Sequence, residues 1–342
     1  MKKLRLVLAG LGARGHAWAD TIQRNPDCDL ICYVDPDPTS LEQAQHRFGN
    51  QPSFASLTEA LETIEDIDAI ILATPPDSRE MDIAAACKHR LPLLVEKPLA
   101  LNLELAIDYV QQAENAGIPL MIGLNFRYLP VTQKYRRLLE KDAAGQLGFC
   151  RFTYERWRNG HAQRLNRYPM SMLQPMLWEQ SIHHFDLMRF VYQREAVAVY
   201  CRSWNPSWTM YADDTNVSAL FEFEGGFEIN YQGTWVGGWQ ELNFEWRTDG
   251  SNGVIVQRDM FGDLYQAKRM DKELTPVELP PSEPWVTDLS SLLTAFLQAS
   301  QGAPIECSGK DHLGSLAMVE ACIQSAREGR RIKIDQAAKI RV

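Results

Sequence analysis

A glycine motif near the start of the chain constrains the fold more than any other sequence feature. The pattern GxGxxG at residues 10–15 follows an apolar run at 4–9 and opens a helical segment. In that context Gly10 permits a tight turn, Gly12 lets the backbone approach a pyrophosphate, and Gly15 lets helix and strand pack closely. The phosphates would lie at the positive end of the helix. The motif therefore predicts a strand-turn-helix unit that binds a dinucleotide.

An acidic residue ends the second predicted strand. Asp35 lies 20 residues after Gly15, where a carboxylate can accept hydrogen bonds from the adenosine ribose hydroxyls. Asp35 and nearby Asp37 would repel the 2′-phosphate of NADP, so we expect NAD rather than NADP as the cofactor. Arg14, beside the glycine turn, is expected either to meet a phosphate or to be solvated in the first helical turn.

Short apolar runs alternate with helix-like segments through the first part of the chain. The predicted strands occupy residues 4–9, 30–34, 69–73, 92–95 and 119–122. Strands separated by helices of this length form right-handed crossovers and a parallel sheet. Residues 1–123 are therefore predicted to form a doubly wound α/β domain that binds NAD(P).

The pattern changes in residues 124–342. Predicted helices cover 130–141, 175–192, 285–301 and 310–328, the last ended by Gly329. A strand at 149–157 leads into a polar loop, and several strand-like runs fall between 196 and 267. These features predict an α+β domain with a large, open, mostly antiparallel sheet. Because an uncovered sheet face exposes apolar area, we expect a homodimer or homotetramer.

Composition limits the classes of partner. The 342 residues carry 35 Lys+Arg against 44 Asp+Glu, a formal net charge of −9. Without a long basic cluster, this charge disfavours nucleic acid and anionic membrane surfaces as partners, and no apolar run approaches the ~20 residues of a membrane-spanning helix. The seven cysteines form no CxxC pair and no regular spacing, and their odd number argues against a fully paired disulfide framework, so we expect a reducing, cytoplasmic setting. Small-molecule ligands are expected.

Lys97 is the first candidate for chemistry. It follows the buried run 91–95, so it emerges at the carboxyl end of a parallel strand, where open α/β sheets bind ligands. A lysine there can donate a hydrogen bond to a substrate oxygen or exchange a proton with it. A structural ion pair is the alternative interpretation.

A cluster in the predicted helix 175–192 is the second candidate. Glu179, His183 and Asp186 are spaced i, i+4 and i+7, so they would share one helical face, with His184 about 100° away. Oxidising a carbinol requires removal of the hydroxyl proton, and histidine suits that task near neutral pH when a carboxylate orients it. A core histidine is the alternative. A metal is not favoured, because no cysteine lies near this helix.

Several motifs occur in the order and at the distances of a known family. They are GLGARG, VDPD, ATPPDS, VEKPLA, GLNFRYLP, EQSIHHFD and SLAMVEACIQSAREGR. Together they resemble the glucose-fructose oxidoreductase/inositol dehydrogenase (Gfo/Idh/MocA) family over essentially the whole chain. The resemblance implies a Rossmann domain followed by an α/β domain with a large open sheet. It also implies an NAD(P)-dependent dehydrogenase or reductase that acts on a CH–OH group of a sugar, an inositol-like polyol or a sugar derivative.

The resemblance implies roles for individual residues. Lys97, preceding a cis peptide, would be the catalytic lysine, and His183 the acid/base, with Glu179 as a further catalytic group. With the glycine motif and Asp35, the predicted cofactor-binding residues are Gly10, Gly12, Ala13, Arg14, Gly15, Asp35, Thr74, Pro75, Glu96, Lys97 and Asn125. The predicted substrate-binding residues are Lys97, Arg127, Trp157, Asp186 and His183, with Trp178, Arg156 and Arg158 as further candidates for lining the pocket.

Three positions depart from the family pattern. Glu179 replaces a common Asp, Ser181 a common Gly, and Arg79 the frequent His of the TPNxxH loop.

Two other functions stay open. The chain also resembles redox-neutral NAD-dependent glycosidases or lyases, and an NAD-sensing regulator could use the same fold. Lys97 together with His183 favours an enzyme, since a sensor needs neither. The paired Arg156 and Arg158 indicate either an acidic substrate or a solvated strand face.

Overall fold

The computed structural model describes residues 3–158 and 168–335. The chain forms two compact units. The first comprises the described residues up to Asn125 together with Trp285–Leu313, and the second comprises Phe126–Pro284 together with the described residues from Gly314 onward. The segment Trp285–Leu313 therefore belongs to the first unit. The domain boundary predicted between residues 123 and 124 places the same segment in the second domain. Most of the predicted polar loop, residues 159–167, lies outside the described residues.

The first unit contains a six-stranded sheet in the order β3-β2-β1-β4-β5-β6, with every pair parallel. The strands are β1 (Leu4–Ala9), β2 (Cys28–Val34), β3 (Ser53–Phe54), β4 (Ala69–Leu72), β5 (Leu93–Val95) and β6 (Leu120–Ile122). Leu6, Val7 and Leu8 are 0% exposed, as expected of a parallel strand buried on both faces. The predicted doubly wound Rossmann fold is confirmed; β3, too short to show a periodic pattern, was missed.

The second unit contains a nine-stranded sheet in the order β14-β13-β12-β11-β7-β10-β9-β8-β15. Its strands are β7 (Leu147–Glu155), β8 (Ala196–Trp204), β9 (Asn216–Phe223), β10 (Phe227–Thr234), β11 (Asn243–Gly250), β12 (Gly253–Asp259), β13 (Gly262–Lys268), β14 (Thr275–Pro276) and β15 (Ile332–Lys333). The β7/β10 pair is parallel and the other pairs are antiparallel. The predicted large, mostly antiparallel sheet is confirmed.

The two faces of this sheet differ. On one face Phe221, Ile229 and Tyr231 are 0% exposed. On the other, Leu220 is 41% and its cross-strand partner Tyr200 is 44% exposed. This alternation with a period of two residues is what one buried face and one open face produce. The open face therefore presents Tyr200 and Leu220 beside exposed polar side chains such as Asn230, the partner of Leu220 on β10.

Ten α-helices accompany the two sheets in the described residues. They are α1 (Ala13–Arg24), α2 (Pro38–Phe48), α3 (Leu57–Thr63), α4 (Glu80–His89), α5 (Leu103–Ala116), α6 (Pro130–Glu140), α7 (Tyr168–Ser171), α8 (Ile182–Tyr192), α9 (Thr287–Ser300) and α10 (Gly309–Glu328). The side chains of Asp37, Ser56 and Asn102 cap α2, α3 and α5 by accepting main-chain N–H bonds. Gly329, with φ +65°, follows α10 as predicted. None of the described helices has the length and apolarity needed to cross a membrane.

The predicted helix over 175–192 consists of two different helices. A π-helix covers Met176–Ser181, and α8 follows it. Hydrogen bonds in a π-helix run from i to i+5, so side chains are not spaced at the 3.6 residues per turn that the prediction assumed. The expectation that Glu179 shares a regular α-helical face with His183 is therefore wrong, because Glu179 lies in the π-helix.

Candidate active site

The glycine turn after β1 has the conformation that a pyrophosphate site requires. Gly10 has φ +87°, and a Cβ atom on it would lie 2.7 Å from the carbonyl carbon of Ala73. A Cβ atom on Gly15 would lie 1.9 Å from the carbonyl oxygen of Gly10, so both positions exclude a side chain. A Cβ atom on Gly12 would meet no atom of the described residues within 4 Å. Gly12 caps the N-terminus of α1, so the open space beside it and the positive helix end fit a phosphate group.

Asp35 is held beside this turn by main-chain hydrogen bonds. Its Oδ2 accepts the N–H of Leu11 at 2.7 Å, and its Oδ1 accepts the N–H of Asp37 at 2.9 Å. Each carboxylate oxygen can accept a further hydrogen bond, so Asp35 fits the ribose hydroxyls of a dinucleotide. Asp37 accepts hydrogen bonds from Thr39 and Ser40, which hold the pKa of its carboxyl below the usual value. Two carboxylates at this end of the site fit NAD and would repel a 2′-phosphate.

Arg14, Glu96 and Asn125, all predicted to contact the cofactor, form one hydrogen-bonded group. Arg14 donates through Nε to Glu96 Oε1 at 2.6 Å and through Nη2 to Asn125 Oδ1 at 3.1 Å. Trp18 donates to the same Glu96 oxygen at 2.8 Å. Its guanidinium pairs with the buried residue that precedes Lys97, so Arg14 is not simply solvated, and its contact with a phosphate stays a prediction.

Asp288, in the first turn of α9, extends this group and was missed by sequence reasoning. It is 0% exposed and accepts a hydrogen bond from Asn125 Nδ2. Burial raises the pKa of the Asp288 carboxyl above its usual value. An aspartate in the first turn of a helix is ordinarily a surface residue that stabilises the helix dipole. Nothing in the local sequence distinguishes Asp288 from that class.

The loop after β4 contains Thr74 and Pro75, both predicted to contact the cofactor, and ends at Arg79. The Arg79 side chain is buried, and its guanidinium donates to the Thr74 carbonyl and to carbonyls on both sides of Lys97. Lys97 itself is half-buried and follows β5, at the carboxyl edge of the sheet, as predicted. The Lys97–Pro98 peptide bond is cis, which confirms the implication of the resemblance.

In the second unit, His183 lies in the first turn of α8 and is 7% exposed. Its imidazole stacks on the ring of Phe126, with ring centroids 4.3 Å apart and planes inclined by 30°. Such stacking restricts rotation of the imidazole. Glu179 is half-buried in the preceding π-helix, a conformation that occurs frequently at functional sites. His183 therefore has the restrained orientation that a general acid/base requires.

Arg127 and Asp186, both predicted to bind substrate, form a buried ion pair with each other. Arg127 donates through Nε to Asp186 Oδ2 at 2.7 Å and through Nη2 to Oδ1 at 2.6 Å. Ser315 donates to the same Oδ1 at 3.1 Å. Both carboxylate oxygens of Asp186 therefore accept hydrogen bonds. The ion pair joins the segment after Asn125 to α8, which carries Asp186. Their contact with substrate stays a prediction.

A second histidine, His184, anchors a buried network that sequence reasoning missed. Its Nε2 lies 3.1 Å from Gln180 Nε2, and its Nδ1 lies 2.9 Å from the Tyr231 hydroxyl. Ser181, at the position where the family commonly has Gly, lies 2.8 Å from the same hydroxyl. Burial lowers the pKa of His184 to about 3, so the imidazole is neutral at physiological pH. The network joins the π-helix to β10.

Of the residues after β7, Trp157 and Arg158 are half-buried, whereas Arg156 is exposed. The backbone of Trp157 pairs with that of Val236 in an isolated antiparallel β-bridge. The Arg158 guanidinium lies 4.2 Å from the centroid of the Trp235 ring. Arg158 therefore covers an aromatic surface rather than extending into solvent alone. Trp178 is 5% exposed, and its place in the wall of a substrate pocket stays a prediction.

Two family models match the chain. A model described as "Oxidoreductase family, NAD-binding Rossmann fold" matches residues 4–124, and one described as "GFO/IDH/MocA C-terminal domain" matches residues 132–256. Between them they span both units and agree with the motifs noted in the sequence.

Relatives are similar over nearly their whole length. A D-apiose dehydrogenase of Rhizobium rhizogenes is 27% identical, with 98% of this chain and 98% of that protein covered. An inositol 2-dehydrogenase of Rhizobium meliloti is 24% identical, with 97% and 99% covered. A crystal structure of an oxidoreductase from Agrobacterium radiobacter in complex with NAD+, L-tartaric acid and magnesium shares the fold, with a TM-score of 0.87, 22% identity and coverage of 97% and 98%. The chain is therefore a member of the Gfo/Idh/MocA family of oxidoreductases, with an NAD-binding Rossmann domain.

Proposed function

We propose that this protein is an NAD-dependent dehydrogenase that interconverts a secondary hydroxyl and a carbonyl on a sugar, a polyol or a sugar derivative. The observation that carries the proposal is that Lys97 follows β5 at the same sheet edge as the glycine turn after β1. Ligands of open parallel sheets bind at that edge. A protein that only sensed NAD would need no ammonium group there.

The residues of the first unit would hold the cofactor. The backbone at Gly12 and the N-terminus of α1 would hold the pyrophosphate, Asp35 the adenosine ribose, and the Thr74 loop the nicotinamide end. NAD, when bound, supplies the hydride acceptor for oxidation, and NADH the hydride donor for reduction. The buried group around Glu96 keeps the Lys97 segment in place.

Lys97 and His183 would divide the work on the reacting oxygen. The Lys97 ammonium donates a hydrogen bond to that oxygen and stabilises the negative charge that develops on it. His183 accepts the hydroxyl proton during oxidation and returns it during reduction. Phe126 keeps the imidazole oriented, and Glu179 is the carboxylate assigned to support its charged form. Trp157, with Arg127 and Asp186, is assigned to the wall of the substrate site.

Three further features bear on the substrate, the assembly and the cellular location. Arg156 and Arg158 have no ion-pair partner among the described residues, and Arg158 is stacked on Trp235, which favours including sugar acids among the candidate substrates. The open face around Tyr200 and Leu220 favours a homodimer or homotetramer. The seven cysteines are all free thiols, which favours a cytoplasmic enzyme.

The test measures NADH formation by its absorbance with a panel of inositols, aldoses, uronic acids and amino sugars. Each assay is repeated with NADP in place of NAD. We expect NAD-linked oxidation of one substrate class, and loss of turnover with retained NAD affinity in Lys97→Met. Turnover without net NADH would identify the redox-neutral alternative. NAD binding by calorimetry without turnover on any compound would favour the sensor, and full activity of Lys97→Met would overturn the catalytic assignment.

A further inference from the structure

Arg79 stands where the family frequently has His, and its side chain is 1% exposed. It precedes α4 and turns back into the first unit. Its Nε lies 3.1 Å from the Thr74 carbonyl oxygen, to which Nη2 also donates. Its Nη1 donates to the carbonyls of Glu96 and Pro98, and reaches that of Leu99 at 3.3 Å.

These acceptors belong to two loops at the same sheet edge. Thr74 follows β4, and the other three carbonyls surround Lys97 in the loop after β5. Buried carbonyls that leave a strand ladder need a donor from elsewhere. One guanidinium supplies that donor to both loops at once.

No other side chain can make the same set of bonds. A guanidinium presents five N–H donors in one rigid plane and stays charged, whereas a lysine presents three donors around a point charge. An imidazole presents at most two N–H groups. The arginine at this position therefore links the two loops in a way that a histidine side chain could not reproduce.

We propose that Arg79 is the positioning residue for Lys97. By binding the carbonyls of Glu96, Pro98 and Leu99 together with that of Thr74, it fixes the backbone from which the Lys97 ammonium projects. It also makes the loop that faces the cofactor and the loop that carries the lysine move as one body. With its side chain 1% exposed, Arg79 is assigned no direct contact with substrate; it acts through Lys97, and in this respect the proposal rests on the catalytic role proposed for Lys97.

The test compares Arg79→Met, which keeps the volume and removes the donors, with Arg79→Lys, which keeps the charge. Arg90→Met, an exposed arginine next to α4, is the matched control. The first readout needs no substrate: the acetylation rate of Lys97 relative to exposed Lys88, measured by mass spectrometry of the folded full-length chain. The second readout is kcat and KM with the hydroxyl substrate, and the third is NAD affinity by calorimetry.

We expect relative acetylation of Lys97 to change several-fold in Arg79→Met and less in Arg79→Lys. We expect kcat to fall by about 100-fold in Arg79→Met, because a displacement of about 1 Å at a reacting group has that effect, with KM changed much less. Arg90→Met should match the wild type in all three readouts. If Arg79→Met does not fold, Arg79→Lys must still show the acetylation change and a reduced kcat.

Wild-type acetylation of Lys97 and wild-type kcat in a folded Arg79 variant would overturn the proposal. A change in acetylation while Lys97→Met stays active would instead refute the role of Lys97 and leave the loop contact intact. The two failures are therefore distinguishable.

Discussion

The ring of Phe126 lies against the imidazole of His183, with centroids 4.3 Å apart. Phe126 precedes Arg127, whose ion pair with Asp186 ties this segment to the helix that carries His183. The orientation of the proposed acid/base is therefore set by two contacts with one short segment of the chain.

Replacing Phe126 by Leu should impair turnover more than folding. We expect kcat to fall by about tenfold with a smaller change in KM, because an aromatic pair is worth about 0.5–1.5 kcal/mol beyond its buried area. Phe48→Leu is the matched control, since Phe48 packs edge-on against another histidine, His16, at 5.4 Å. Steady-state kinetics check the prediction, and equal kcat values for the Phe126 variant and the wild type would contradict it.

Breaking the Arg127–Asp186 pair should destabilise the second unit strongly. Arg127→Met removes both short hydrogen bonds to the buried Asp186 carboxylate and leaves it the longer, 3.9 Å contact with Arg189. Removing one partner of a buried pair costs about 3–5 kcal/mol. The double variant Arg127→Met/Asp186→Leu should recover most of the stability, because neither member of the pair is left as a buried charge without the other. Urea unfolding measures both, with the exposed pair of Arg247 and Asp249 as a control worth about 0–1 kcal/mol. A single-variant loss as small as that of the control would refute the prediction.

Asp35→Asn should weaken the preference for NAD. The amide removes the negative charge that repels a 2′-phosphate while keeping one acceptor for the ribose. We expect the Kd of NAD to rise by about tenfold, the scale of one lost charged hydrogen bond, and the ratio of NADP to NAD affinity to increase. Calorimetry with both cofactors tests this, with exposed Glu62→Gln as the control. An unchanged ratio would show that Asp35 does not select the cofactor.

His184 should make stability depend on pH below neutrality. In the unfolded chain histidine binds a proton below about pH 6.5, whereas burial lowers the pKa of folded His184 to about 3. The unfolded state therefore binds more protons in this window, and stability is lost as pH falls from 6.5 toward 3, by about 1 kcal/mol per pH unit. Urea unfolding from pH 7 to pH 5 should show this slope in the wild type and a shallower one in His184→Gln. Exposed His46→Gln should keep the wild-type slope; equal slopes for all three proteins would disprove the prediction.

The open face of the nine-stranded sheet should bury Tyr200 and Leu220 in a subunit contact. Leu220→Lys introduces a charge that a buried apolar contact disfavours, so sedimentation at micromolar concentration should show a shift toward the monomer. A wild-type protein that sediments as a clean 38.9 kDa species would exclude the assembly. Surface variant Glu62→Gln should leave it unchanged.

The sequence alone was sufficient for the Rossmann sheet, the mostly antiparallel second sheet and the glycine turn. These features are encoded locally. A short apolar run indicates a strand buried on both faces, apolar alternation indicates a strand with one open face, and a GxGxxG turn needs glycine at fixed positions along six residues. The positions of Gly10, Asp35 and Lys97 at one sheet edge follow from topology once the strands are known. The family motifs added the cis peptide at Lys97–Pro98, which the structure contains.

Tertiary structure decided which charged groups pair and where the helix changes its form. Arg14 meets Glu96 across 82 residues of chain, and Arg127 meets Asp186 across 59. Arg79 turns inward to bind carbonyls of two loops. No local sequence pattern predicts such pairings. A buried charged side chain needs partners, and these partners lie in elements that are distant in sequence and become neighbours only when the chain packs. The π-helix before α8 likewise departs from the 3.6-residue period, which makes the orientation of Glu179 a property of the packed structure rather than of the sequence pattern.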